Sequence, residues 1–324
     1  MRGIRLIKDN SNFDFIRLRF LAVALSLSVV IGSFGLMFTQ GLNFGIDFTG
    51  GTLLEIRTPE KPDLEKMRKT LNDLGFGAIS IQEFGEADDL LIRLPDQTRR
   101  NDLKDVDKPN KVAIERVRET LDAMYKGKSI DYRRTEFVGP QVGKELKIKG
   151  LYAIILSVIG ISVYIWFRFE WKYGLAAIIA LAHDSIATVG LFSLTQMEFN
   201  LSTVAAVLLV AGYSINDTVV VFDRIREDLR RYKKKPIADL LNISINETLS
   251  RTILTSFTTL LALIALYLFG GEVIRGFVYA LIFGIVFGTY SSIFVASPLL
   301  MWTNIRPSQG KQEPASSESA AEAA

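Results

Sequence analysis

The sequence predicts an α-helical polytopic membrane protein: six transmembrane helices, with one exported α+β domain between the first and the second. Three observations carry this. Nearly half of the 324 residues are hydrophobic and 23% are charged, a share that does not fit the surface of an ordinary soluble enzyme. The apolar residues gather into six blocks, 20–38, 151–167, 173–195, 201–222, 252–269 and 277–302, each close to the roughly 17 to 25 residues that cross a hydrocarbon core about 30 Å thick. One long polar interval, 39–149, follows the first block.

The N-terminal residues 1–19 carry Arg2, Arg5, Lys8, Arg17 and Arg19, which places them in the cytoplasm by the positive-inside rule. Each even-numbered span then returns the chain to that side. Arg168 and Lys172, the basic loop 223–251 with Arg224, Arg226, Arg230, Arg231 and Lys233 to Arg251, and finally Arg306 all fall inside; the outside turns at 196–200 and 270–276 offer only Arg275. The first block is too long for a signal-peptide core and lacks a small-residue cleavage site, so it is an anchor. The sequons at Asn242 and Asn246 fall in the cytoplasmic loop and carry no glycan argument.

Residues 39–149 are long enough to be exported whole. After the glycine-rich segment from Gly45 through Asp47 to Gly50 and Gly51 comes an alternating strand at 52–57. Leu64, Met67, Leu71 and Leu74 mark a helix over 62–75. Strands at 79–84 and 90–94 join through 85–89 as a hairpin, 112–125 repeats the helical pattern, and 129–138 is a last strand. The order β-α-β-β-α-β is the split βαβ, ferredoxin-like arrangement. Gly45, Gly50 and Gly51 form neither a P-loop nor a dinucleotide fingerprint, because no Lys-Ser/Thr follows and no strand precedes them. They read as a tight junction with Asp47 as a turn or cap residue; Gly139 and Pro140 read as a second one. Two such junctions would let a rigid head swing.

The composition excludes several chemistries. Without cysteine there is no disulfide, thiolate nucleophile or iron–sulfur ligand. The single histidine, His183, lies inside an apolar block, against a histidine-rich metal site or hydrolase triad. A net charge of +3 spread beside the spans does not point to nucleic acid. No cofactor or metal is expected, and no catalytic set for an enzyme.

The spans hold the stronger signals, because ionisable residues at membrane depth are expensive to bury. Asp184 sits halfway along 173–195, with Thr188 one turn on and His183 expected to point elsewhere. Asp217 lies about a turn and a half inside the cytoplasmic end of the fourth span. Arg251 begins the fifth span, and its reach brings its guanidinium toward Asp217. Thr255, Thr258 and Thr259 follow on Arg251's face as a hydroxyl stripe expected to face protein or water. A carboxylate, a fixed cation and a hydroxyl-lined path are what a proton relay needs; Asn216 and Ser214 are further interhelical hydrogen-bonders. In the sixth span Ala280, Gly284, Gly288, Ser292 and Ala296 recur every fourth residue, a helix-packing face within this chain or toward a partner. Span four is expected to run on into an amphipathic helix near 219–229, its basic end near anionic lipid, and the tail 307–324 to be disordered.

Several segments together resemble a known family. Gly45-Ile-Asp-Phe-Thr-Gly-Gly51, Phe137-Val-Gly-Pro140, Phe167-Arg-Phe-Glu-Trp171, Ala180-Leu-Ala-His-Asp184, Gly212-Tyr-Ser-Ile-Asn-Asp217, Val221-Phe-Asp-Arg-Ile-Arg-Glu227 and Arg251-Thr-Ile-Leu-Thr-Ser256 resemble the motif set of the SecF family, the smaller subunits of bacterial SecDF protein-export complexes. The resemblance covers nearly the whole chain. It implies a subunit of the bacterial inner membrane that pairs with SecD into a twelve-span body similar to resistance-nodulation-division transporters, with YajC and the SecYEG channel as partners and SecA acting earlier. Unfolded preprotein would be the cargo and the proton motive force, or a sodium gradient, the drive. Its proton-path aspartate and arginine match Asp217 and Arg251. Half of a small-molecule exporter would share the relay but normally has two large heads, and a non-transporting assembly factor could lose Asp217 or Arg251 without consequence.

Overall fold

The computed structural model describes residues 12–97, 109–303 and 305. The basic N-terminal residues 1–11, the tail 307–324 and Arg306 lie outside the described residues.

A 3-10 turn, Ile16–Leu18, leads into α1 (Arg19–Thr39). A four-residue turn of helix, α2 (Ile46–Thr49), precedes β1 (Gly51–Arg57), followed by α3 (Leu64–Asn72), β2 (Ser80–Phe84), β3 (Glu86–Leu94), α4 (Pro109–Met124) and β4 (Asp131–Val138). The strands form one antiparallel sheet in the order β2-β3-β1-β4, the arrangement expected of a split βαβ head. One sheet face is sealed by the helices: Leu54, Ile56, Leu90 and Ile92 pack against Met67 and Leu71 of α3 and Val117 and Leu121 of α4, each fully buried. Asp63 caps α3, accepting from the Lys66 amide at 3.1 Å.

The stretch 85–89, expected as the hairpin loop, is mostly strand. Only Gly85, with φ +91, makes the turn. The charged residues after it are held by pairing rather than by apolar alternation, since Arg57 lies opposite Asp89 in the register and binds it at 2.6 and 2.7 Å.

Five long helices follow. They are α5 (Pro140–Arg168), α6 (Trp171–Thr195), α7 (Leu201–Arg231), α8 (Ile237–Phe269) and α9 (Glu272–Ser291). A π-helical stretch, Ser292–Ala296, carries α9 into α10 (Ser297–Trp302), so the last three are one span. The stretch lies directly before Pro298, whose missing N–H and bulky ring break the ordinary ladder. Among the described residues six helices are thus long and apolar enough to cross a membrane. α6, α7 and the last span are half buried in the bundle, and α1, α5 and α8 lie outside them.

Three boundaries drawn from hydropathy need correction, because hydropathy reports contact with lipid and not helical continuity. The second span starts at Pro140, so residues 140–149, expected as the end of the head, are the polar first turns of α5. Proline is suited to that first position, where no N–H is needed. The loop 223–251 is not a loop: α7 runs on to Arg231 and α8 already starts at Ile237, leaving a short turn ended by Pro236. Arg251 therefore lies within α8 rather than at its start. The sequon asparagines sit on α8 and tie down the entry to α1: Asn246 accepts from the Phe13 amide at 2.9 Å and Asn242 from the Ile16 amide at 3.0 Å.

Candidate functional site

Among the described residues two polar clusters lie at mid-bundle, apart from Asp228 near the end of α7, which accepts from Ser244 of α8. The first is built on α6. Asp184 is fully buried; its Oδ1 is 2.8 Å from His183 Nδ1, and its Oδ2 accepts a hydrogen bond from Ser214 of α7. Ser291 of α9, fully buried, lies beside the same carboxylate. His183 thus does not point elsewhere, as its helical position suggested. Its ring reaches its neighbour's carboxylate while stacking on Phe287 at 5.0 Å, with Nε2 buried and without a protein partner. Asp184 consequently binds α6 to α7 at mid-bundle.

The second cluster is built on α7. Asp217, 3% exposed, has one carboxylate oxygen, Oδ2, with no protein partner. Ser256 of α8 lies beside it, and the charge of Arg251, just over one turn earlier on α8, acts on it without a direct ion pair between the two. Ser256 is in turn 2.8 Å from Thr289 of α9. A carboxylate, a nearby cation and two hydroxyls therefore meet where α7, α8 and α9 pack. Ser214 and Asp217 are three residues apart on one helix, so the two clusters are about one turn from each other.

The other expected relay residues are not gathered here. Asn216 is exposed on the outer side of α7. Thr255, also exposed, returns its hydroxyl to its own helix at Arg251 O and Thr252 O, and Thr258 does the same. Arg251, Thr255 and Thr258 form an uncovered polar edge on α8. Ser256, one residue from Thr255, was the hydroxyl to single out; only the direction of burial, invisible in spacing alone, distinguishes them.

The small-residue face of the last span packs within this chain. A Cβ at Gly284 would meet Val210 Cγ2 at 2.2 Å, and one at Gly288 would meet Ser214 Cβ at 3.0 Å. Ser292, fully buried, starts the π stretch and donates to Thr289 O. This close approach of α7 and α9 seats Ser214 against Asp184.

The two glycine-bearing junctions are one joint. A Cβ at Gly50, where φ is +72, would lie 2.7 Å from Pro140 Cα, and one at Gly51 would lie 2.4 Å from Leu94 O. Gly139 caps α5 without such contacts. Gly45 approaches Glu198, which pairs with Arg93 of β3 at 2.6 Å. Asp47 accepts from the Leu201 amide at 2.9 Å, capping the first turn of α7 from across the joint. The Arg93–Glu198 pair, absent from the sequence reading, joins residues with no pattern between them. Among the described residues there is no His, Asp or Glu cluster suited to a metal.

Six spans, one α+β head and ionisable side chains buried on central helices define a polytopic membrane protein with a polar centre. A model of the C-terminal region of the SecD/SecF protein export membrane proteins matches residues 117–306, and one of the SecD/SecF GG motif matches 35–58, around Gly50 and Gly51. Protein translocase subunit SecF of Rickettsia felis is 48% identical over 92% of this chain and 94% of its own; that of Rickettsia prowazekii is 45% identical over 92% and 93%. The crystal structure of SecDF, a translocon-associated membrane protein from Thermus thermophilus, matches with TM-score 0.80 and 37% identity, covering 92% of this chain and 40% of that one. A SecDF structure in a super-membrane-facing form matches at 0.66 and 36%. The chain belongs to the SecF family of protein translocase subunits, and it spans 40% of the length of the solved SecDF chains.

Proposed function

We propose that this chain is the SecF half of a SecDF-type assembly in the bacterial cytoplasmic membrane, with its termini inside and its head exported. It would use the proton gradient to draw preprotein outward after SecA and the SecYEG channel have acted, with SecD and YajC as further partners. The observation that carries the reading is Asp217: a carboxylate buried between spans, one oxygen unpartnered, a cation near but not bound. A direct ion pair would hold the carboxylate charged, whereas a cation held slightly apart leaves it able to gain and lose a proton. Asp184 is the next carboxylate inward, through Ser214.

The polar edge of Arg251, Thr255 and Thr258 supports a partner. Such an edge is stable at membrane depth only against protein or water, and SecD is the partner the family supplies. The lower TM-score to the super-membrane-facing form, at nearly equal identity and coverage, supports an assembly that takes up more than one arrangement. One proton crossing about 180 mV releases about 4 kcal/mol, enough to bias a two-state element almost a thousandfold.

Asp217→Asn in membranes carrying the assembled SecDF complex tests this. Export should lose its dependence on the proton gradient while the complex assembles normally, and Arg251→Lys, which keeps charge but loses the planar fork, should fall in between. Wild-type gradient dependence in Asp217→Asn would sink the assignment and move attention to Asp184.

A further inference from the structure

We propose that a cavity on the face of the bundle away from the head, between the α5–α6 turn and the end of α7, binds the phosphate of an anionic phospholipid. The cavity, about 590 Å³, is lined by Arg168, Asp223, Arg226, Glu227, Arg230 and Arg231. Counted formally its lining is four cations against two carboxylates, and one of those carboxylates is held within the lining by Arg168. Arg168 holds Asp223 at 2.6 and 2.8 Å, and Glu227 is turned to Arg224 at 2.8 Å, a guanidinium it shares with Asp228 and Glu247. Arg226, Arg230 and Arg231 make no ion pair among the described residues. Arg226, Arg230 and Arg231 therefore line one open space against the single charge of Glu227, which leaves the lining with an excess of two positive charges.

The site is also built in advance. Arg168 and Arg226 both lie over the Phe169 ring, at 4.9 and 5.6 Å from its centroid, and Arg226 donates to Arg168 O. Phe169 is itself buried against Tyr173 and Phe222. The planar fork of arginine matches phosphate oxygens in pairs, and stacking on a buried ring removes part of the cost of ordering the side chain before the ligand arrives.

The depth selects a lipid over a soluble anion. Trp166, Phe167 and Trp171 project outward from the same turn at 70%, 89% and 60% exposure. Aromatic side chains of this kind mark the boundary between headgroups and acyl chains, which puts the arginines level with lipid phosphates. Val163 and Ile159, exposed along α5 toward the membrane interior, offer an apolar track for the chains. A phosphodiester with one negative charge, as in phosphatidylglycerol, fits these three features together.

The test uses the full chain in mixed micelles of phosphatidylcholine and phosphatidylglycerol, with retained lipid read by native mass spectrometry. Wild type should retain phosphatidylglycerol in preference to phosphatidylcholine. Arg226→Gln with Arg230→Gln should weaken that retention by about 25-fold, roughly fivefold for each basic residue lost near an anionic surface. Lys233→Gln with Lys234→Gln removes the same charge from the neighbouring turn and should weaken retention clearly less than the arginine pair, because those lysines are outside the cavity and act only through the general attraction of the surface. Should the first pair fail to fold, Arg230→Gln with Arg231→Gln spares the Phe169 stack and carries the same expectation. Equal losses in the arginine and lysine pairs would reduce the site to diffuse charge and overturn it. So would indifference of wild type between the two lipids, or displacement of the lipid by soluble glycerophosphate at equal concentration.

Discussion

Gly284→Ala tests the contact on which both polar clusters depend. The added methyl carbon would lie 2.2 Å from Val210 Cγ2, 2.6 Å from its Cγ1 and 2.9 Å from its Cβ. Carbon atoms in ordinary contact are about 3.5 to 4.0 Å apart, so the shortfall at Cγ2 is about 1.3 Å. A rotamer change swings the γ carbons away but leaves Val210 Cβ in place, and α7 and α9 must still part by about 0.6 Å. Overpacking of this size costs about 1 to 3 kcal/mol, which should lower the thermal midpoint of the full chain in detergent, followed by fluorescence of its three tryptophans. Adding Val210→Ala removes the two γ carbons but leaves Cβ and gives up buried methyl groups, so the double variant should lose less than the sum of the two single losses. Gly160→Ala, which meets nothing within 4 Å, is the control and should melt at or above wild type. A wild-type midpoint for Gly284→Ala, or losses of the two single variants that simply add in the double, would refute close packing of α7 on α9 as the reason for glycine at this position.

Two further expectations concern the head. Asp89 is held below the usual carboxylate range chiefly by its hydrogen bond from Arg57, against the opposing effect of burial, with Arg133 adding to the first. A depressed folded-state pKa contributes stability that is complete above the unfolded value of about 3.9 and is lost as pH falls through the folded value. Resistance of the head to protease in urea should therefore hold level from neutral pH down to about pH 5 and fall below about pH 4, with Asp89→Asn weaker throughout and missing that component of the fall; an acid slope unchanged by the substitution would disprove it. Asp47→Ala removes the acceptor on the Leu201 amide, a loss of about 1 kcal/mol for a capping contact. Faster hydrogen exchange at the start of α7 is the expected sign, and unaltered protection there would contradict it.

The head was legible because each level of its sequence agrees. Leu54 and Ile56 alternate as a strand should, Met67 and Leu71 keep helical spacing, and the sheet order follows from the order of elements. The spans were legible as lengths of apolar chain but not as helices, since nothing in the hydropathy of 237–251 distinguishes a helix leaving the membrane from a loop. Asp217 and Asp184 stood out because burial of a carboxylate in a span needs a reason. Arg251 and Ser214 stood out with them, but Ser256 did not, because Ser256 and Thr255 are adjacent hydroxyls on one helix, and only the packing of α9 decides which of them turns inward. His183 misled for a related reason: successive residues diverge by about 100° around a helix, yet an imidazole is long enough to fold back onto its neighbour.

Helix α7 contains no proline and runs unbroken for 31 residues, about 46 Å at the rise of an α-helix. Its first amide is held by Asp47 at the joint below the head, Ser214 and Asp217 sit near its middle, and its last turns line the arginine cavity. A rod with its fulcrum near the centre behaves as a seesaw: a tilt of about 5° carries each end about 2 Å in opposite directions. A tilt about that centre is thereby felt at both ends of the helix at once, and a hold applied to either end resists movement at the other.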